Sequence, residues 1–144
     1  MPNDYHTQAQ LDRTKRLREL QHELPDFCSD YFMAIEQQTS VLTRLSYAYD
    51  LKLFFQYLSS ELPKFSGKPV TEFTAADISQ VTKQDLERYA RHLTLYVKNE
   101  TLEDGETASR EMTNHEYGIK RKYASLRAFY KYLFAEGLIE SNTA

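Results

Sequence analysis

Residues 41–61 read VLTRLSYAYDLKLFFQYLSSE, flanked by Thr39-Ser40 before and Pro63 after. This stretch decides the fold. Ser40 is a good N-cap, because its hydroxyl can accept from an early backbone N–H of the helix. Pro63 blocks continuation, having no N–H to give and a ring that clashes with the preceding turn. Between them Leu42, Leu45, Tyr49, Phe55, Leu58 and Leu62 recur at steps of three to six and make roughly one apolar stripe. Thr43, Arg44 and Tyr47 fall on the other side, with Lys52 near its edge. A helix of about six turns follows.

Working outward, the rest of the chain is helical in the same way. Thr7–Glu23 is polar and helix-prone, with only Ala9, Leu11, Leu17 and Leu20 as a thin stripe. Pro25 opens a clearer helix that ends near Gln38, with Phe27, Tyr31 and Ile35 at steps of four and Cys28 and Phe32 beside them. Residues 63–80 hold two prolines and a glycine, and predict a loop with one short turn around Ala75–Ile78. Thr82 and Asp85 form a capping-box pair for a helix running KQDLERYARHLTLYVKN, with Leu86, Tyr89, Ala90, Leu93, Tyr96 and Val97 on one stripe. Residues 100–113 are acidic and contain Gly105, and predict an exposed, mobile loop. Asn114 is placed to cap a last helix over His115–Glu136, and Gly137 is its C′ stop. The fold class expected is all-α: a compact bundle of four main helices plus an N-terminal helix. The divisions expected are a tail and helix over 1–24, a domain over 25–140 and the start of a linker over 141–144.

The totals agree. The chain has 144 residues, four glycines and four prolines, too few turn residues for a many-stranded β fold. Cys28 is the single cysteine, so no internal disulfide and no cysteine-cluster zinc site is expected, and a plain buried thiol is the default. His6, His22, His92 and His115 lie far apart and make no ligand pair. No metal, cofactor or small-molecule substrate is therefore expected. A polar N-terminus and the lack of a long apolar run point to a cytoplasmic protein without a membrane partner.

The net charge is −3, from 18 Lys and Arg against 21 Asp and Glu, but the charge is segregated. Residues 118–132 read GIKRKYASLRAFYKY, with Lys120, Arg121, Lys122, Arg127 and Lys131 and no acid, whereas the segment before them is rich in Glu and Asp. On a helical wheel Ile119, Tyr123, Leu126, Tyr130 and Leu133 form the core stripe. Arg121, Ser125 and Ala128 then point directly away, flanked by Lys120, Ala124 and Lys131. Small residues between basic ones suit a helix in a DNA major groove, where long cations reach phosphates and short side chains allow close approach. A basic helix face is by default a solvated one, however, and charge and periodicity do not settle the function.

A resemblance adds to this. Residues 40–54, SVLTRLSYAYDLKLF, resemble the second helix of the core-binding domain of tyrosine recombinases and phage-type integrases, a SAM-like helical module. Residues 124–133, ASLRAFYKYL, followed by Gly137–Asn142, resemble its last helix and exit, and Val81–Leu86 resembles the entry to its third. The likeness covers 25–144. It implies a four- or five-helix bundle that forms half of a clamp on recombination-site duplex DNA, alongside other recombinase subunits, for DNA integration or recombination. By that match Thr43, Arg44 and Tyr47 on one helix and Lys120, Arg121, Lys122, Ser125 and Arg127 on the other are DNA-binding candidates. Arg121 and Lys120 rank first because the wheel also places them outward, whereas Lys122 and Arg127 lie nearer the core flanks. The family's catalytic groups belong to a further domain, so no catalytic residue is assigned and this chain alone is not expected to be an enzyme. Two features depart from the family: the acidic 100–113 segment is longer, and Asn142-Thr143 stands for the usual Asn-Pro. The alternative is a helical protein–protein interaction module that does not bind DNA.

Overall fold

The computed structural model describes residues 4–94, 96–101, 107–112 and 116–144. Among the described residues six α-helices form the bundle: α1 (Asp4–His22), α2 (Cys28–Ile35), α3 (Val41–Glu61), α4 (Ala75–Ser79), α5 (Lys83–His92) and α6 (Glu116–Ala135). The bundle is all-helical, as expected, and a two-stranded ribbon stands between α5 and α6: β1 (Tyr96–Thr101) and β2 (Thr107–Met112).

The local signals act where the sequence puts them. The Ser40 hydroxyl accepts from the Thr43 N–H at 3.1 Å, and Pro63 opens a single 3₁₀ turn just past the end of α3. Thr82 and Asp85 bond each other's backbone N–H at 3.1 and 2.9 Å, and Thr74 and Asp77 make the same reciprocal pair at the start of α4. At the end of α6, Gly137 sits at φ 72°, and the Leu138 N–H donates back to the Leu133 carbonyl at 2.9 Å. That is a Schellman turn, and only glycine takes its left-handed corner without strain.

α3 is the axis of the bundle. α1 and α6 pack along it, and Val41, Ala48, Leu51, Phe54, Phe55, Tyr57 and Leu58 are buried around most of its girth. The one-stripe expectation therefore fails here: Leu42 and Tyr49, placed in the stripe, are largely exposed. A helix clad on several sides has no single apolar face to read. Aromatic rings fill the space around it. Phe54 meets Tyr89 of α5 with centroids at 5.2 Å, Tyr31 of α2 meets Phe129 of α6 at 5.2 Å, and Phe55 meets Phe73 at 5.5 Å. α1 joins this core through Leu17 and Leu20, with Leu24 just past its end. Cys28 is a buried thiol, and desolvation pushes its pKa far up.

The ribbon corrects two expectations. α5 ends at His92, not near Asn99, and Thr94 closes it by donating to the Arg91 carbonyl at 2.6 Å. Tyr96 and Val97 then enter β1, and the pairing runs antiparallel from Tyr96 opposite Met112 to Thr101 opposite Thr107. Tyr, Val and Thr suit a strand as well as a helix end, so the continued helical stripe misled. Strand pairing likewise replaces the predicted loop over 107–112. The remainder of that loop at 102–106 and the cap at Asn114 with the helix start at His115 lie outside the described residues.

Candidate nucleic-acid interface

α6 shows two chemically distinct faces. Ser125, Leu126, Phe129, Tyr130 and Leu133 are buried, while Lys120, Arg121, Ala124, Arg127 and Lys131 are exposed. Compared with the sequence-based wheel, the buried face is turned by about 50°, taking about 100° per residue. Phe129 replaces Ile119 and Tyr123 at its centre, and those two are half-buried. The outward row is then Lys120, Ala124, Arg127 and Lys131, at steps of four, three and four, which align on one helix face.

This rotation changes several candidates. Ser125, expected to point outward, is 3% exposed and donates to Asp50 Oδ2 at 2.7 Å. It ties α6 to α3 and is not on the surface. Arg127, expected near the core flank, is exposed instead. Arg121 remains exposed but lies at the edge of the row, bent toward α3. Its Nη1 donates to Ser46 Oγ at 2.8 Å and to Asp50 Oδ2 at 3.2 Å, and its Nη2 to Asp50 Oδ1 at 3.3 Å. It therefore does not project directly away from the bundle. Lys122 is half-buried; desolvation lowers its pKa, and the Asp50 charge opposes that shift.

Asp50 is the residue that sequence reasoning missed. It is 5% exposed, on the face of α3 that meets α6. Burial raises its pKa, and the Ser125 hydroxyl together with the charges of Arg121 and Lys122 opposes the rise. The available signal was a lone acid in the largely apolar run 45–58, which an amphipathic stripe assigns to solvent.

The α3 candidates have structural work. Arg44 Nη1 donates to the Glu36 and Thr39 carbonyls at 2.8 and 2.6 Å and to Thr39 Oγ1 at 3.2 Å, closing the turn between α2 and α3. The Thr43 hydroxyl accepts from Ser40 Oγ at 3.1 Å beside the cap, and Tyr47 is half-buried against the core. The structure brings Arg121, Ser125 and α3 together through Asp50, and leaves Arg44 and Thr43 at the separate task of shaping the start of α3.

No cluster of three potential metal ligands occurs among the described residues, and no helix among them is long and apolar enough to cross a membrane. The buried phenols are poor nucleophiles. Desolvation pushes Tyr57 up to about 12 and raises Tyr123, Tyr31 and Tyr130 as well. No family model, curated protein or solved structure matches this chain.

Proposed function

We propose that this chain is the DNA-gripping core-binding domain of a site-specific tyrosine recombinase or integrase. In this reading α6 lies along the major groove of the recombination site, with the start of α3 beside it and other recombinase subunits completing the assembly. The observation that carries it is the exposed row Lys120, Ala124, Arg127 and Lys131 on a helix whose sequence resembles the family's last helix. From residue 120 to 131 the row spans about 16 Å at 1.5 Å per residue. That is enough to reach phosphates on both sides of a groove about 12 Å wide. Ala124 between the cations lets the helix backbone come close to the base edges.

The test is fluorescence anisotropy of a 30-base-pair duplex titrated with the full chain at several salt concentrations. Log affinity should fall linearly with log salt, and K120A/R127A/K131A should reduce the slope by roughly 0.9 for each phosphate that is no longer neutralised. Unchanged affinity and slope in that triple variant would reject the face. A chain that binds no duplex at low salt, yet sediments as a clear dimer, would favour the helical interaction module instead.

A further inference from the structure

Arg121 is held in a way that leaves a defined part of it unused. A guanidinium has five N–H donors in a rigid plane. Asp50 takes the end-on pair, with one oxygen on Nη1 and the other on Nη2, and Ser46 Oγ accepts from the second Nη1–H. Three donors are thus engaged. Among the described residues the two left over are Nε–H and the second Nη2–H, which lie parallel on the long edge of the plane. The side chain is 45% exposed, while the carboxylate that holds it is 5% exposed. The fixed end of the group is inside the α3–α6 seam, and the group reaches solvent.

We propose that Arg121 is a pre-set bidentate donor whose Nε–H/Nη2–H edge takes a paired acceptor of duplex DNA, with Asp50 and Ser46 as its positioning residues. This rests on the DNA-binding reading and gives it a contact of stated geometry. Two sources offer the same chemistry: the O6 and N7 atoms of a guanine in the major groove, and two non-bridging oxygens of one phosphate. A free arginine loses rotamer entropy on forming such a pair. Here the buried carboxylate has already fixed the plane, so less is lost on binding. Lysine keeps the charge at this position but cannot make the fork.

The experiment uses the full chain. Duplexes are selected from a randomised pool, and wild type, R121K and D50N are compared on the selected duplex and an unrelated one. R121K is expected to lose about 5- to 150-fold on the selected duplex; with guanine as acceptor it stays within about twofold of wild type on the unrelated one, and with phosphate as acceptor it loses on both. D50N is expected to lose part of the same preference although Arg121 remains, with its folding checked by circular dichroism. A destabilised but correctly positioned site would lower the melting temperature and leave the preference intact, and that result would overturn the positioning role. 7-Deazaguanine in the selected duplex costs wild type but not R121K if guanine is the acceptor; a single methylphosphonate costs wild type more than R121K if phosphate is. Equal affinity of wild type and R121K on both duplexes overturns the proposal while the DNA-binding reading stands. If wild type binds no duplex at low salt, that reading fails by itself. The Arg121 Nε–H resonance, assigned by its disappearance in R121K, is then followed against inorganic phosphate. A shift keeps the edge as an oxyanion site, and no shift removes it.

Discussion

Replacing Arg121 by alanine should destabilise the fold more than replacing Asp50, although the two side chains share the same bonds. The reason is their unequal burial: Arg121 is 45% exposed and Asp50 is 5% exposed. Arg121→Ala strands a carboxylate inside the α3–α6 seam, and removing one partner of a buried pair costs about 3–5 kcal/mol. Two features reduce that figure. Ser125 still donates at 2.7 Å, and the Lys122 charge remains nearby. An expected loss of about 2–3 kcal/mol results, just below the range for broken buried pairs. Asp50→Ala leaves a guanidinium that water can solvate and a serine without its acceptor, at a cost of about 1 kcal/mol. D50A/R121A removes the buried charge altogether and should be more stable than R121A alone. Urea unfolding followed by far-UV circular dichroism measures this. With a slope of about 1.5–2 kcal/mol per molar, R121A should lower the midpoint by about 1–2 M. Its penalty should shrink as pH falls and Asp50 takes a proton. An R121A midpoint within about 0.3 M of wild type, or a double variant no more stable than R121A, would refute the asymmetry.

Three further outcomes follow from the same bonds. Arg44→Ala frees the Glu36 and Thr39 carbonyls and should cost about 1–2 kcal/mol in urea unfolding, hydrogen bonds from a charged group being among the stronger ones, with duplex affinity changed less than twofold. Thr82→Ala removes half of the capping box of α5 and should cost about 1 kcal/mol, read as a lower midpoint with native helicity retained before unfolding. Acid unfolding should show opposed contributions. Burial alone would raise Asp77 and Asp85, but Lys68 with Thr74 and Lys64 with Thr82 together hold them below the ordinary range, so their stabilisation is present above about pH 4 and lost as pH falls through their folded values. Asp50, raised by burial, binds its proton more tightly when folded and so favours the fold less as pH climbs from about 4 toward its folded value. Lys64→Met should therefore move the acid-unfolding midpoint to higher pH, and D50N should flatten the decline on the other side; no change in either curve would contradict these assignments.

Element ends were legible where a single residue type decides them. Ser40 and Pro63 bound α3, Thr82 with Asp85 starts α5, and Gly137 stops α6, because each acts through its own backbone geometry. Facing was less legible, since it depends on what else packs nearby. α3 has neighbours around most of its girth, so no stripe on it could be trusted. On α6 the buried face includes Ser125, a polar residue that is tolerated inside because Asp50 of another helix accepts a hydrogen bond from it. Arg44 looked like surface charge because its acceptors are carbonyls of a turn, which side-chain types do not reveal. The ribbon was hidden because Tyr96 and Val97 satisfy helical spacing and strand preference alike.

That ribbon has an architectural consequence. Tyr96 and Met112 are directly opposed, so the polypeptide departs from the helices and comes back at points about 5 Å apart. Whatever length lies between them is a detour whose ends meet. An insertion made between Thr101 and Thr107 therefore begins and ends at neighbouring points, and a reporter peptide or a second binding loop carried there keeps its ends together.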